Sequence, residues 1–225
     1  MPNWVYNTIR INDALTDKQK QILEQIKQKG LCEYYLPMPT TLNITSGSAV
    51  DNARKILGDE FGTIPKDKGN LTDKDFEEAK QSFINEKLYG SKDWYDWKNR
   101  NYGTKWGDCD TDVDLGNASI RYDTAWSPLT IEIIEKFAND FPNFDYEWEE
   151  EQGFGESWES IDGELSLTDE WDIPNMEEID LGEGDYIFEL KDEHRGLKMG
   201  YYSDWNPSED SYLGETLEEA KENLI

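Results

Sequence analysis

The chain has 225 residues and a formal net charge of −28, since 50 acidic side chains stand against 22 basic ones. Such a negative surface repels the phosphates of nucleic acid and of anionic membranes, so we expect no direct binding of DNA and no membrane contact. No apolar run approaches the roughly 20 residues that span a bilayer, and the start of the chain resembles no secretion signal. With only Cys32 and Cys109, far apart, the composition favours reduced thiols and a cytoplasmic protein.

Strand and helix signals alternate in the first half of the chain. Residues 4–11 predict a strand, because polar and apolar side chains alternate there. A helix is predicted to begin after Thr16, which forms a capping box with the glutamine three positions later. A short helix follows at about 48–57, and a second capped helix begins after Thr72. The aromatic-rich segment 89–106 is expected to be irregular.

The second half begins with a predicted strand at 117–124. Ser127, which is followed by proline, predicts the N-cap of a helix. The next segment has the most regular pattern of the chain, since Phe144, Tyr146 and Trp148 alternate with acidic residues. This alternation predicts a half-buried strand with aromatic side chains in the core and carboxylates in solvent.

Further elements are predicted toward the C-terminus. They are a strand at 157–167, a hairpin formed by 185–190 and 197–203, and a helix after Thr216. The order of the whole chain is strand–helix, a long insertion, and strand–helix–strand. This order predicts an α+β protein with a ferredoxin-like split βαβ antiparallel sheet, a helical insertion, and a small C-terminal β-hairpin and helix.

The same pattern suggests a division into domains. We expect a main domain at 1–167, with a helical and Trp-rich insertion at about 43–106. A linker is expected at 168–184 and a C-terminal ββα appendage at 185–225.

Four short segments resemble elements of one protein family. They read PNWVYN at 2–7, LPMP at 36–39, NYGTKWGD at 101–108 and TAWSP at 124–128. Together they look like the Api92-like/YubB-like proteins of phages and plasmids, over roughly residues 1–160. The resemblance implies a ferredoxin-like fold and a gene on a mobile element, and it implies no established catalytic activity.

Two positions depart from the family pattern. Tyr102 stands where tryptophan is usual, and Gly107 is inserted before Asp108. The C-terminal hairpin and helix look like an addition that the resemblance does not cover.

The negative charge is concentrated in one segment. Residues 137–190 hold 19 acidic side chains and no lysine or arginine, together with ten aromatic residues. Because a disordered acidic tail is poor in aromatics, we expect this segment to fold and to hold its carboxylates in a fixed array. The residues expected to contact a partner are Asp145, Glu147, Glu149, Glu150, Glu151, Glu156 and Glu159.

Such an array suggests a phage- or plasmid-encoded interaction protein that imitates nucleic acid. Its carboxylates would take the place of phosphates and pair with the Arg and Lys side chains of a basic host protein. The expected target is a nucleic-acid-binding defence component of restriction or CRISPR type in the host cytoplasm, inhibited by occupancy of its basic groove. The alternative explanation of the acidity is solubility alone.

A second hypothesis places binding, without catalysis, in the Trp-rich insertion. Basic and aromatic side chains interleave there, as they do in proteins that stack on single-stranded nucleic acid. The insertion would then contact RNA or a protein, unless its tryptophans only pack against the sheet. The residues concerned are Trp94, Trp97, Lys98, Lys105 and Trp106.

The chain shows no catalytic constellation, and we expect no enzyme, cofactor or metal site. The single histidine, His194, falls in a predicted polar turn without a positioned nucleophile. Asp108, Asp110, Asp112 and Asp114 would share one face of an extended strand, where Mg²⁺ or Ca²⁺ could bind. Their spacing fails the EF-hand pattern, so a strand with a wet acidic side is the simpler interpretation.

Overall fold

The computed structural model describes residues 2–58, 63–182, 185–205 and 207–224. Within these residues the strands are β1 (Trp4–Ile11), β2 (Cys109–Asp114), β3 (Ser119–Ala125), β4 (Phe144–Glu150), β5 (Gly155–Ile161), β6 (Glu164–Trp171), β7 (Met176–Gly182), β8 (Asp185–Leu190), β9 (Gly200–Tyr202) and β10 (Tyr212–Gly214). They form two antiparallel sheets, with the strand orders β2-β3-β1-β4-β5-β6 and β10-β9-β8-β7.

The α-helices of the described residues are α1 (Asp17–Lys29), α2 (Leu31–Tyr35), α3 (Ser48–Leu57), α4 (Asp73–Tyr89), α5 (Trp94–Asn101), α6 (Ile131–Ala138) and α7 (Leu217–Asn223). None of these helices combines the length and the apolar character that crossing a membrane requires.

The first four strands and two of the helices have the predicted split βαβ arrangement. Helix α1 lies between β1 and β2 in the chain and α6 between β3 and β4, while β1 pairs with both β3 and β4. Each βαβ unit therefore encloses a strand of the other unit, which is the ferredoxin-like topology. The prediction of an α+β fold with a ferredoxin-like antiparallel sheet is confirmed, and β5 and β6 extend that sheet by one hairpin.

One face of the larger sheet is buried in the main core. Leu23 and Ile26 of α1 and Ile134 and Phe137 of α6 are fully buried, because these helices carry apolar side chains at helical spacing. The strands contribute every second residue to the same core. We call the other side of this sheet the outer face. On the neighbouring strands β1 and β4, the residues of this face are Tyr6, Thr8, Arg10, Asp145, Glu147 and Glu149.

The helical insertion between α2 and β2 has a small core of its own. The segment 89–106 contains α5, so the expectation of irregular structure is wrong. Asp93 caps this helix by accepting a hydrogen bond from the Asp96 N–H at 3.0 Å, and Trp97 on its inner side is buried. The buried apolar residues of α3 and α4 are Val50, Ala53, Leu57, Phe76 and Ala79.

Two predicted elements have different boundaries. The strand predicted at 157–167 is the hairpin of β5 and β6, joined by Asp162 and Gly163. Both turn residues have positive φ, +53° and +86°, and an Asp-Gly pair in this conformation favours a two-residue hairpin. Ser127 does not cap α6, which begins at Ile131, because its hydroxyl donates instead to the Gly103 carbonyl at 2.6 Å.

The segment 168–184 is not an irregular linker. It contains the end of β6 and all of β7, and its last two residues lie outside the described residues. β7 pairs with β8, with Ile179 opposite Ile187, so the C-terminal unit is a four-stranded sheet with α7 rather than a ββα appendage. The predicted strands 185–190 and 197–203 correspond to β8 and the shorter β9. The sequence pattern does not predict β7, because acidic residues dominate this segment and its pairing with β8 is seen only in the folded chain.

Candidate interaction surface

The two Trp-containing motifs of the sequence are hydrogen bonded to each other. The Thr104 hydroxyl donates to the Ala125 carbonyl at 2.8 Å, and the Ser127 hydroxyl donates to the Gly103 carbonyl at 2.6 Å. A third contact joins the Thr130 N–H to the carbonyl of Tyr102 at 3.0 Å. Segments 101–108 and 124–128 therefore form one structural unit.

Two tryptophans of this unit, Trp106 and Trp126, group at the surface with Trp4 of β1. The Trp106 ring lies 5.9 Å from that of Trp4 and 5.3 Å from that of Trp126, measured between centroids. Trp106 is 40% exposed and Trp126 is 50% exposed. Tyr6, two residues after Trp4 on β1, is also exposed. We call Trp4, Tyr6, Trp106 and Trp126 the aromatic patch.

Trp126 has an unusual backbone conformation. Its φ is +69°, a left-handed value that costs a residue with a side chain about 1–3 kcal/mol. The Trp126 N–H donates to the Asn3 carbonyl at 2.8 Å, which fixes this conformation. The backbone thus carries strain at a position where a large indole ring remains half exposed, and such strain is typical of functional sites.

The residues predicted for binding by the insertion are divided between core and surface. Trp97 is buried, with its ring edge-on to Tyr102 at 5.0 Å, so it packs rather than binds. Lys98 lies over the Tyr102 ring at 5.7 Å. Trp94 is partly buried and packs edge-on against its neighbour Tyr95.

Lys105 and Trp106, by contrast, belong to the exposed surface. Lys105 Nζ lies 5.4 Å from the Trp106 ring and 6.0 Å from the Tyr95 ring. A cavity of about 310 Å³ beside it is lined by Tyr95, Lys105 and Trp126, among others. The structure therefore brings Lys105 and Trp106 together with Trp126 and Trp4, two tryptophans that the hypothesis of binding by the insertion did not include.

The alternation predicted for β4 is confirmed. Phe144, Tyr146 and Trp148 are buried, while Asp145, Glu147 and Glu149 lie on the outer face. On the neighbouring β5, Glu159 is directly opposite Asp145, so the two carboxylates share that face.

Three of the other predicted acidic residues do not contribute to this array. Glu150 is buried, and its carboxylate accepts the Gln152 N–H at 2.6 Å. Glu156 lies opposite Trp148 and therefore on the other side of the sheet. The Glu151 carboxylate accepts the Trp4 N–H at 3.0 Å. Glu150 and Glu151 are therefore used by backbone N–H groups at the turn before β5, and Glu156 points to the inner side of the sheet, so the structure does not bring these three residues together with the carboxylates of the outer face.

Glu147 and Glu149 are bound by an arginine of the C-terminal unit. The Arg195 guanidinium donates to the Glu149 carboxylate and, through Nη2, to Glu147 Oε2 at 3.3 Å. Its central carbon lies 3.7 Å from the centroid of the Trp171 ring, which is a close cation–π contact. Two of the carboxylates expected to meet a partner therefore already have an internal cation.

The only histidine of the chain lies next to this contact. His194 forms a backbone bridge with Leu197. Burial lowers the pKa of His194 and the positive charge of Arg195 lowers it further, while Glu149 acts in the opposite direction. The neutral imidazole is therefore favoured in the folded chain.

The aspartates of the 108–114 segment do not share one face. Asp110 has a φ of +50°, and the pairing of β2 with β3 is irregular between Cys109 and Asp112. Asp108 turns toward α2, where its carboxylate accepts the Leu31 and Cys32 N–H groups at 2.8 and 2.9 Å. Within the described residues, no group of three or more His, Cys, Asp or Glu side chains could hold a metal ion.

A comparison with known families gives the identity of the central region. Residues 101–189 match the family described as the ferredoxin-like domain in Api92-like protein. This region is similar to the Api92-like family. The resemblance noted from the sequence is thereby confirmed for the segments 101–108 and 124–128, while the segments 2–7 and 36–39 lie outside the matched residues. The match continues past residue 160 to include β6 and β7.

Other comparisons add little. A crystal structure of a protein api92 from Yersinia pseudotuberculosis is similar over 76% of this chain and 99% of that chain, with 12% identity and a TM-score of 0.40. No curated protein matches the chain.

The Api92-like region supplies most of the candidate surface. It contributes Trp106 and Trp126 to the aromatic patch, as well as β4 and Trp171. Trp4 and Tyr6 come from β1, and Arg195 comes from the C-terminal unit. The surface is therefore built from three separate parts of the chain.

Proposed function

We propose that this chain is a non-catalytic interaction protein whose partner is a basic protein. The observation that carries the proposal is the aromatic patch, in which Trp106 and Trp126 are 40% and 50% exposed although their rings are in contact. Contiguous exposed aromatic side chains mark interaction sites on soluble proteins, and tryptophan is enriched among the residues that dominate binding energy.

Charge indicates the kind of partner. Tyr6 of the aromatic patch lies directly opposite Glu149 across β1 and β4, and Thr8 lies opposite Glu147. The patch therefore continues into the acidic part of the outer face. An Arg or Lys side chain bound there would stack on an aromatic ring, a cation–π contact that contributes about 0.5–2 kcal/mol. It would share the Glu147 and Glu149 carboxylates with Arg195.

The test is site-specific photo-crosslinking in host lysate from position 8, a partly exposed residue of β1 beside Tyr6 on the outer face, so that all four residues of the aromatic patch are unchanged. Wild-type protein is expected to capture a basic protein, with a yield that falls as salt rises because the attraction is partly electrostatic. Trp126→Ala should abolish the capture, since it removes half of the exposed aromatic pair. Leu88→Ala is the matched control, because Leu88 is 65% exposed on α4 and lies outside the patch. Equal capture by the Trp126→Ala variant would refute the proposal.

A second candidate is the imitation of nucleic acid by the acidic segment of a phage- or plasmid-encoded protein, which would block the basic groove of a host defence protein. It is favoured by the 19 acidic residues and the absence of any lysine or arginine over residues 137–190. Among the predicted contact residues, Asp145 and Glu159 face each other on the outer face without an ion pair to any described Lys or Arg. They are the first positions to test.

Charge reversal distinguishes the two candidates. The Asp145→Lys, Glu159→Lys double variant should lose the partner if carboxylates replace phosphates, and DNA should then compete with the wild-type chain for the same groove. Capture that survives charge reversal and is unaffected by DNA would refute imitation and leave the aromatic patch as the binding site.

A further inference from the structure

A cavity distinct from the aromatic patch opens at the ends of β4, β5 and β6. Its volume is about 530 Å³, which is within the range of small-molecule sites. Three aromatic side chains and three carboxylates line it, and no described Lys or Arg does. These residues are Trp148, Phe154, Trp171, Glu156, Glu170 and Asp172.

The register of the strands places two of the carboxylates side by side. Glu156 lies opposite Trp148 on β4 and opposite Glu170 on β6, so the three residues form one row across the sheet. Directly opposite side chains have Cβ atoms about 4.5–5.5 Å apart, and like charges in such a pair are destabilising. No described Lys or Arg forms an ion pair with either carboxylate. A cation between them would relieve the repulsion.

Glu156 is already oriented for such a contact. Its Oε2 accepts the indole N–H of Trp148 at 3.2 Å and that of Trp158 at 2.8 Å. Two donors on one oxygen fix the carboxylate and its neighbouring rings together. Phe154 stands perpendicular to Trp148, with centroids 6.0 Å apart, and the two rings form an aromatic wall.

Trp171 forms another wall and is held rigidly. A Cβ on Gly155 would lie 2.6 Å from Cζ2 of this ring, so the indole packs directly on the glycine backbone. The guanidinium of Arg195 stacks on the ring without lining the cavity. The Trp171 indole N–H is buried and has no acceptor among the described residues, which costs about 1–3 kcal/mol unless a ligand supplies one.

We propose that this cavity binds an organic cation, an alkylammonium or guanidinium group attached to a carbonyl or hydroxyl oxygen. The cation lies between Glu156 and Glu170 and against the aromatic walls, where carboxylate and cation–π attraction act together. The oxygen accepts the Trp171 N–H. The inference does not depend on the partner surface proposed above, because no residue of the aromatic patch lines the cavity.

The experiment is an NMR titration of the full chain with ¹⁵N-labelled tryptophan side chains. Choline and N-acetyl-arginine amide are the two probes, and sodium chloride at equal ionic strength is the reference. Saturable shifts of the indole signals of Trp148 and Trp171 are expected with at least one organic probe. Tighter binding of choline indicates a small quaternary ammonium compound as the ligand, and tighter binding of the arginine amide indicates a side chain of a protein.

The decisive variant is Glu170→Gln, because this side chain is exposed and makes no contact on which the fold depends. It should weaken binding of the organic probe about tenfold, the effect of removing one charged contact. Glu164→Gln on the same strand lies outside the cavity, and its binding should equal that of the wild type. Equal shifts with sodium chloride, or unchanged affinity of the Glu170→Gln variant, would overturn the proposal.

Discussion

The replacement of Arg195 by alanine tests how the C-terminal unit is attached to the larger sheet. Arg195 stacks on Trp171 and binds the carboxylates of Glu147 and Glu149. Its own φ is +47°, and alanine keeps the Cβ, so the backbone strain is the same in both proteins. The substitution therefore removes the guanidinium contacts and little else.

The expected loss follows from the exposure of the contact. The Arg195 side chain is 32% exposed and those of Glu147 and Glu149 are 38% and 25% exposed, so each ion pair contributes only about 0.5–1 kcal/mol. The stacked guanidinium adds about 1 kcal/mol. The two carboxylates, left about 6.7 Å apart on one strand, then repel each other by about 0.5–1 kcal/mol. We expect a decrease of about 2.5–4 kcal/mol in the free energy of unfolding.

Urea unfolding followed by tryptophan fluorescence measures this free energy. Arg195→Lys should recover about half of the loss, because it restores the charge without the planar stacking group. Lys198→Ala is the charge-matched control, since Lys198 forms one exposed pair with Glu215 and lies over the Tyr212 ring, and its removal should cost about 0.5–1.5 kcal/mol of unfolding free energy, less than the removal of Arg195. If Arg195→Ala is no more destabilising than Lys198→Ala, the contact does not hold the C-terminal unit and the reasoning fails.

Three further substitutions test other contacts of the structure. Gly155→Ala should lower the free energy of unfolding by about 1–3 kcal/mol in a urea titration, because the new Cβ would clash with the Trp148 carbonyl oxygen and would lie 2.6 Å from Cζ2 of Trp171. Unchanged stability would contradict this packing around Gly155. Asp108→Ala should lower the free energy of unfolding by about 1–3 kcal/mol, since two N–H groups at the start of α2 lose their acceptor. Faster hydrogen exchange of these two amides is the measurement that checks it. His194→Gln should make the melting temperature less sensitive to acid. The pKa of His194 is lowered in the folded chain, so the contribution of this side chain to stability is full above its unfolded pKa of 6.5 and is lost as the pH falls below that value. Equal shifts of the melting temperature in both proteins between about pH 7.5 and 5.5 would refute this.

Local signals in the sequence determined most of the secondary structure. The capping boxes of Thr16, Thr72 and Thr216 each begin a helix where expected, because a cap involves backbone and side-chain groups within four residues. The alternation of β4 likewise identified which side chains enter the core. The Asp-Gly pair at residues 162–163 is a signal of the same kind, and it would have divided the strand predicted at 157–167 into β5 and β6.

The tertiary structure decided which polar groups are available to a partner. Glu147, Glu149 and Glu150 are the same residue type within four positions, yet the first two bind Arg195 and the third is buried. Ser127 has the sequence signature of a helix cap, yet its hydroxyl donates a hydrogen bond to the Gly103 carbonyl.

The sequence alone thus established the fold class, the strands and helices with the strongest patterns, and the sign of the surface charge. Only the folded chain showed where that charge is already compensated and where three tryptophans meet. The physical reason is distance along the chain. Periodicity and capping depend on residues a few positions apart, whereas a guanidinium 46 positions from its carboxylate leaves no local trace.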